Sequence, residues 1–421
     1  MMKLQNFLLI TLLFSFVFAQ FACSEKKFNK NEAGVKQIFS TNSSGLSDAQ
    51  QIAKVNKVEY KNVSINPNFN LSIEVKHRVI NHLQTLFVDN EFDSNIFYIT
   101  KSGYLHKLDK DLKQLSKVLL KFKPQEKSIF VEGFISTDAN KVFLSTNLGK
   151  IFAFNKKDLS EDFVVNIDDF FNSPIIPDES YLYLKGIQNS VYGLYDMDGK
   201  TAWVHKKDGF ATSFNDTSSM VVIGDNLLVA NDISSVEILD KKNGDLMLTT
   251  TKQANKDSTA VTNKTAKNIR LTQSEYSVIS GKDDLSLFSN EALQVSNTFY
   301  VSGLVDNLVS DDRILSATTN GSIYTIYLKQ KNKELTAQLP LHKNDYVVSL
   351  ISSDRFGIVI VTFNGDVFMP DKDFKNITKI NYANTKQKPI KDIIKALVVQ
   401  DDYLLLYNAK EVVKIKIQPV K

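Results

Sequence analysis

The chain has 421 residues, of which 43% are hydrophobic, and its 51 basic and 47 acidic side chains give a formal net charge of +4. A mean hydropathy of −0.17, with only 8 prolines and 16 glycines, is typical of a folded globular protein and excludes a collagen-like or wholly disordered chain. The balanced charge gives no concentrated basic face, so we predict no nucleic-acid partner.

The N-terminal segment is typical of a secretion signal. After Met1-Met2-Lys3, residues 7–19 form an apolar run that is interrupted only by Thr11 and Ser15. This run is shorter than the roughly 20 apolar residues that a membrane-spanning helix needs, and it fits the core of a signal peptide. We therefore predict a signal peptide at residues 1–22, with an uncleaved membrane anchor as an alternative.

Cys23, the one cysteine of the chain, follows this segment directly, and no disulfide can form within the chain. Residues 20–24 resemble the bacterial lipobox, although that family usually has leucine at the first of these positions, where this chain has glutamine. The resemblance implies that the Cys23 sulfur receives diacylglycerol and that its amine becomes the mature N-terminus. Ser24 resembles the pattern of lipoproteins that pass on to the outer membrane. Ordinary cleavage after Ala19 or Ala22 is the alternative.

The segment after the cysteine is polar. We predict that residues 23–57 form a flexible, lipidated tether. Residues 57–63 and 71–76 alternate apolar and polar side chains, as strands do. They open a domain that we predict to extend over residues 58–421.

A hairpin pattern recurs along this domain. Its clearest copy is residues 313–328, where two strand-favouring runs meet at Asn320-Gly321, a dipeptide that accepts the positive φ values of a type I′ turn. Similar pairs of apolar runs turn near Gly103, Gly149, Asn189, Ser234, Gly365 and Lys410. Neighbouring turns are 40–46 residues apart except for one interval of 87, which predicts a degenerate copy near Gly281.

These eight units predict an all-β fold, an eight-bladed β-propeller with four-stranded antiparallel blades. A period in the low forties that is built from short strands is the sequence mark of such blades. The segment after Lys410 has room for only one or two strands, so we expect an N-terminal strand to complete the last blade and close the ring. Chance similarity among apolar strands is the alternative interpretation.

One unit has a more specific pattern. Residues 191–203, V-Y-G-L-Y-D-M-D-G-K-T-A-W, resemble the PQQ-type propeller repeat, whose usual form is V-Y-A-L-D-x-x-T-G-K-x-x-W. Residues 241–248 form a second copy, with Met247 or Leu248 in the place of the tryptophan. The resemblance implies a third strand, a tight glycine turn and a fourth strand whose aromatic residue packs between blades.

An eight-bladed propeller of this type behind a lipoprotein signal resembles the BamB family of outer-membrane assembly lipoproteins, over about residues 60–421. The resemblance implies a non-enzymatic scaffold of the barrel assembly (BAM) complex, anchored by its N-terminal lipid to the periplasmic face of the outer membrane. Its partners would be BamA, other BAM subunits and unfolded outer-membrane proteins, whose folding and insertion it would assist.

The same resemblance points to two partner-binding loops. In the BamB family one loop carries a leucine-rich segment with an arginine, and the other a pair of aspartates just before a blade. By position these loops correspond to residues 212–216 and 304–307, so Phe214, Asn215 and Asp306 are candidate partner-binding residues. The chain has Asn215 at the arginine position and one aspartate in the second loop. A core-capping aromatic residue and a turn-forming aspartate are the alternative roles.

The residues that usually carry catalysis or bind metals show no such arrangement. The five histidines lack zinc-ligand spacing, and the acidic pairs 168–169, 283–284, 311–312 and 401–402 fall where Asx turns are expected. We predict no catalytic residue, no metal and no cofactor. A quinoprotein dehydrogenase shares the repeat and is an alternative, although one tryptophan and one cysteine leave little with which to build its quinone site. A ligand-binding propeller that uses its central channel is another.

Overall fold

The structure is a computed structural model, which describes residues 65–419 except for 124, 127–132, 172, 189, 207–219, 233–234, 252–267, 272–275, 282, 291–293, 311, 354, 372–376, 383–389 and 400–402. The predictions for the signal peptide, Cys23, the tether, Phe214 and Asn215 lie outside the described residues. The compact unit that contains the described residues spans Asn62–Lys421. Its described part contains no helix with the length and hydropathy needed to cross a membrane.

The described residues form eight sets of four strands, which we number as blades. β1 (Ile65–Arg78) comes first in the chain and belongs to the last blade. Blades 1 to 4 are β2 (Leu83–Val88), β3 (Ile96–Thr100), β4 (Tyr104–Leu108), β5 (Gln114–Leu119); β6 (Gly133–Thr137), β7 (Lys141–Thr146), β8 (Lys150–Asn155), β9 (Glu161–Asn166); β10 (Ile176–Asp178), β11 (Tyr181–Lys185), β12 (Ser190–Tyr195), β13 (Thr201–Lys206); and β14 (Met220–Ile223), β15 (Asn226–Asp232), β16 (Ser235–Asp240), β17 (Leu246–Thr251). Blades 5 to 8 are β18 (Asn268–Leu271), β19 (Tyr276–Ser280), β20 (Asp284–Ser289), β21 (Gln294–Tyr300); β22 (Leu304–Val309), β23 (Arg313–Thr318), β24 (Ser322–Tyr327), β25 (Asn332–Gln338); β26 (Val347–Ser353), β27 (Gly357–Thr362), β28 (Val367–Pro370), β29 (Ile377–Tyr382); and β30 (Lys395–Val399), β31 (Tyr403–Tyr407), β32 (Glu411–Pro419) with β1.

The N-terminal strand closes the ring, as predicted. The first strands of most neighbouring blades lie side by side, including β2 of blade 1 and β30 of blade 8, so these strands are the innermost ones. β1 pairs antiparallel with β32, from Phe69 opposite Pro419 to Arg78 opposite Glu411, and so becomes the outer strand of blade 8. The degenerate unit near Gly281 is also present, as blade 5.

The pairing of β1 has a second part that the sequence did not predict. Its N-terminal half also pairs in parallel with β29, the outer strand of blade 7, where Leu71 lies opposite Tyr382. Blades 7 and 8 therefore share one eight-stranded sheet, in the order β26-β27-β28-β29-β1-β32-β31-β30.

The core is divided among the seams between blades. Within the described residues, each of the eight seams holds its own cluster of buried apolar side chains. Phe97 of blade 1 and Phe152 of blade 2 belong to one such cluster, and Leu405 of blade 8 and Leu86 of blade 1 belong to the cluster that closes the ring. Because a four-stranded sheet cannot bury its faces alone, each blade depends on both of its neighbours.

The turn at Asn320-Gly321 differs from the predicted type I′ turn. Only Gly321 has a positive φ, +84°, and its N–H donates to the Thr318 carbonyl at 2.9 Å. This is a three-residue loop that ends in a left-handed glycine. The Thr318 hydroxyl donates to the Ser322 carbonyl at 2.9 Å. The Ser322 carbonyl therefore has a hydrogen-bond donor, although only one residue of the turn has a positive φ. The same Thr-x-x-Gly turn occurs in three other blades, at residues 100–103, 146–149 and 362–365.

Candidate functional site

The ring has two faces with different connections, because successive strands run in opposite directions. The links between blades and the turns between second and third strands share one face, which we call the connection face; the remaining turns share the other, the turn face. β22 begins at the connection face, and so does β14, while β13 ends there. The two strands that flank residues 207–219 and the strand that carries Asp306 therefore all reach the connection face. The link between blades 3 and 4 and the link between blades 5 and 6 are two positions apart around the ring.

Asp306 is the third residue of the innermost strand of blade 6 and is partly buried. The register with β23 shifts between Leu304 and Asp306, which makes Val305 a bulge, and bulges change the direction of nearby side chains. One carboxylate oxygen of Asp306 accepts the N–H of Asn307 at 2.8 Å. The buried Asn307 in turn donates its side-chain amide to the Ser280 hydroxyl of blade 5. Asp306 thus has a local structural contact, and its role toward a partner stays a prediction.

The PQQ-type repeat forms the seam between blades 3 and 4. Trp203 is 8% exposed and fits where two glycines leave room, because a Cβ on Gly193 or Gly244 would lie 2.3 Å from its ring. The indole Nε1 donates to the Lys241 carbonyl at 3.2 Å, and the ring lies 6.0 Å from that of Tyr183. Gly193 belongs to the tryptophan's own blade and Gly244 to the next, so the predicted aromatic packing between blades is confirmed.

The seam between blades 2 and 3 reuses this arrangement, and the second repeat copy in blade 4 keeps its strand register. Phe163 of blade 2 packs on Gly199 of blade 3, where an added Cβ would lie 2.5 Å from the phenyl ring. Leu248 pairs with the third strand of blade 4 at the same position at which Trp203 pairs with the third strand of blade 3. Met247, in contrast, is a bulge residue. The structure therefore assigns the tryptophan position of the second repeat to Leu248.

Ion pairs made by buried lysines link blades on the turn face, and the sequence analysis did not predict them. Lys156 of blade 2 lies 2.7 Å from Asp89 of blade 1, and the two side chains are 3% and 1% exposed. Lys241 of blade 4 lies 2.9 Å from Asp178 of blade 3. Both lysines are the first of a Lys-Lys pair that follows an Asn or Asp at the end of a third strand. This recurring pattern of an Asn or Asp followed by two lysines was the sequence signal from which these ion pairs could have been predicted.

The described residues offer little for catalysis or metal binding. Among them, no group of three or more His, Cys, Asp and Glu side chains is placed to hold a metal ion. A cleft of about 180 Å³ on the turn face of blade 2 is smaller than the ~300 Å³ at which small-molecule sites begin. It is lined by Asn140, Lys141, Asn155, Ser160, Glu161 and Asp162. Its lysine already pairs with Asp162 at 2.8 Å.

Exposed apolar side chains in the described part of the chain are most numerous on blades 1, 3 and 4. Of the fourteen large apolar side chains that are exposed in the described part of the chain, six belong to blades 3 and 4: Tyr195, Met197, Val204, Leu246, Met247 and Leu248. They lie on both sides of the seam that Trp203 fills. Single exposed apolar side chains are normal on a folded protein, so their number alone assigns no contact region.

Comparison with known families agrees with this architecture. Residues 101–334, more than half of the chain, match the family model described as outer membrane protein assembly factor BamB. The chain belongs to this BamB family of PQQ-type repeat propellers. No curated protein sequence matches it.

Solved structures show the same ring. BamB from Moraxella catarrhalis is similar with a TM-score of 0.59 and 12% identity, over 82% of this chain and 99% of that one. The C-terminal WD40 domain of Sif2 is similar with a TM-score of 0.61 and 12% identity, over 84% of this chain and 99% of that one. The computationally designed Ika8 protein has a TM-score of 0.59 and 10% identity, over 82% of this chain and 98% of that one. At these identities the likeness establishes the propeller fold alone.

Proposed function

We propose that this BamB-family protein is a non-enzymatic scaffold lipoprotein of the outer-membrane barrel assembly complex, where it binds BamA and assists the folding and insertion of outer-membrane proteins. The family match over residues 101–334 carries the proposal. The propeller suits the role, because eight buried seams hold its surface loops on a rigid ring. The balanced charge favours contacts made by apolar and hydrogen-bonding groups over long-range electrostatic steering.

Recovery of partners tests the proposal. The tagged full chain is purified from detergent-solubilised membranes, and BamA and the other BAM subunits are expected to copurify. Phe214→Ala combined with Asp306→Ala is expected to weaken this recovery. Phe92→Ala, which removes an aromatic side chain 44% exposed on the turn face, is the control and is expected to leave it unchanged. Absence of BamA, together with a bound quinone or a dehydrogenase activity, contradicts the proposal.

The membrane anchor is tested separately. We propose that Cys23 is lipidated and holds the propeller at the periplasmic face of the outer membrane. A radioactive fatty acid is expected to label the wild-type protein and not the Cys23→Ser variant. Equal labelling of both proteins, or of neither, contradicts the anchor and leaves the partner experiment to decide the scaffold role.

A further inference from the structure

The outer strand of blade 4 presents an exposed and uncharged edge. β17 has the sequence Leu-Met-Leu-Thr-Thr-Thr, and its first four residues, 246–249, are all exposed. It pairs with β16 on one side and has no paired strand on the other among the described strands. The backbone N–H and C=O groups of such an edge can pair with another strand, and proteins commonly prevent this with charged side chains.

The other outer strands with an unpaired edge in the described part of the chain are protected. Lys117 lies in β5, Glu161 in β9, Lys206 in β13 and Lys333 in β25. β21 carries no charge, but its five central residues are buried or partly buried. Of the unpaired outer edges in the described part of the chain, β17 is therefore the one that contains no charged residue and exposes four consecutive side chains.

The molecule itself shows that an outer edge of this ring accepts a strand. β29, the outer strand of blade 7, pairs in parallel with the N-terminal half of β1, which comes from the opposite end of the chain. Ile65 lies opposite Lys379, and Leu71 lies opposite Tyr382. The outer edge of a blade thus has a geometry compatible with a fifth neighbouring strand, and β29 and β17 occupy equivalent positions in their blades.

We propose that β17 is a strand-acceptor edge, to which an extended polypeptide segment of a partner adds as a further strand of blade 4. Leu246, Met247 and Leu248 favour apolar side chains on the incoming strand, and Thr249 and Thr250 favour hydroxyl or small polar ones, because cross-strand neighbours stabilise a sheet pair by pair. The segment carries no charge where it pairs, to match the uncharged edge. Unpaired strands of β-rich proteins have this chemistry. The proposal goes beyond the scaffold function and depends on neither Cys23 nor Phe214.

A labelled peptide tests the edge with the full chain in mild detergent. The probe has about twelve residues, enough for one strand, with alternating valine and threonine and two lysines at each end. A second peptide has proline at every other position of the same core, which removes backbone donors. The first peptide is expected to bind, as measured by fluorescence anisotropy, and to slow hydrogen exchange of the β17 amides; the proline peptide is expected to do neither.

A matched pair of variants locates the binding. Met247 of β17 and Leu115 of β5 are both bulge residues of outer strands, 63% and 51% exposed. Met247→Lys places a charge on the acceptor edge and is expected to weaken peptide binding by about tenfold. Leu115→Lys is expected to leave the affinity unchanged, and both variants should keep the wild-type melting temperature because both side chains are exposed.

Several results overturn the proposal. Equal binding of the proline peptide, an equal loss in both variants, protection of strands other than β17 or absence of binding would each do so. Hydrogen exchange on the wild-type protein decides the location even if one variant folds poorly. Recovery of BAM subunits by Met247→Lys is expected to match that of the wild type, so the strand edge and the scaffold role fail or hold separately.

Discussion

At the scale of single residues, the seam between blades 3 and 4 depends on two positions that carry no side chain. Trp203 fills the space over Gly193 and Gly244, and Gly244 also has a φ of +75°, which L-residues with a Cβ rarely adopt. The chain uses glycine there for two reasons, backbone conformation and close approach of the indole. Gly224 allows the two effects to be measured separately, because it has a φ of +58° but no atom within 4 Å of an added Cβ.

We predict that Gly244→Ala is more destabilising than Gly224→Ala. Both variants strain a left-handed backbone, but only the first drives a methyl group into Trp203, which costs about 1–3 kcal/mol more, as for other overpacked sites. Urea unfolding measures the difference. In a Trp203→Ala background the excess cost should largely disappear. An excess that persists in that background would assign the cost to the backbone alone.

The buried ion pair between Lys156 and Asp89 gives a second prediction at this scale. Lys156→Met leaves the Asp89 carboxylate buried without its cation, so the free energy of unfolding should fall by about 3–5 kcal/mol. The hydroxyl of Thr137, which donates to Asp89 at 3.2 Å, is not enough to replace a charge. Adding Asp89→Leu to the same chain should restore much of the loss, because it removes the buried carboxylate that has lost its lysine partner.

A surface pair serves as the control. Lys200 lies 2.6 Å from Asp198, but its side chain is 79% exposed, and exposed pairs contribute little because solvent screens them. Lys200→Met should leave the urea midpoint unchanged. Equal effects of the two Lys→Met changes would show that burial of the Lys156 pair has no energetic consequence.

At the scale of elements, β1 is the strand on which the ring depends most. It forms the antiparallel edge of blade 8 and the parallel neighbour of blade 7, and Leu71 within it is fully buried in the core cluster that both blades share. Removing β1 would uncover two strand edges at once. Exposed edges are prone to pair between molecules.

We predict that a chain without residues 1–78 loses cooperative thermal unfolding and self-associates, whereas a chain without residues 1–64 keeps the stability of the full protein. The first deletion removes β1 and the second leaves it whole. Thermal unfolding followed by circular dichroism, together with size-exclusion chromatography, distinguishes the two. A monomeric, cooperatively folded product of the longer deletion would show that β1 is dispensable for closure.

At the scale of the whole molecule, the seam between the two ends of the ring contains a pair of histidines around one tyrosine. His77 of β1 lies 3.1 Å from the Tyr98 hydroxyl, and His106 stacks on the Tyr98 ring at 4.4 Å. Burial lowers the pKa of both imidazoles; the Gln114 hydrogen bond partly opposes this for His106, and Lys117 adds to it. Burial also raises the pKa of Tyr98 to about 12, so its hydroxyl remains neutral and does not compensate a charged imidazole.

The lowered pKa values predict a ring that is less stable in mild acid. Below the ordinary histidine pKa of about 6.5, the unfolded chain binds protons more readily than the two histidines of the folded seam do. Stability is therefore fully present above that pH and falls as the pH falls toward the lowered histidine pKa values. The urea midpoint should therefore be lower at pH 5.5 than at pH 7.5. His77→Gln with His106→Gln should reduce this difference, and His82→Gln, at an exposed position, should not. An unchanged difference in the double variant would contradict the prediction.

Much of the architecture follows from the sequence alone, because blade strands and tight turns are local. The spacing of turns such as Gly149 and Gly321 predicted eight four-stranded units, and the repeat ending at Trp203 predicted an aromatic residue between blades; the structure agrees with both. The need for an N-terminal strand followed from counting the strands left after Lys410. The type of turn did not follow from the dipeptide. Asn320-Gly321 is compatible with a type I′ turn until the hydrogen bond of the Thr318 hydroxyl is considered.

Only the tertiary structure decided which distant groups meet. The parallel pairing of β1 with β29, the Lys156–Asp89 contact and the edge of β17, which has no paired strand among the described residues, each depend on how blades lie next to one another. No local pattern encodes the neighbour of an outer strand or the partner of a buried charge. The family resemblance named Asp306 from position in the repeat, but its hydrogen bond to Asn307 depends on a bulge that appears only when β22 pairs with β23. Sequence periodicity determined the ring because it repeats along the chain, whereas the contacts between blades join residues far apart in it.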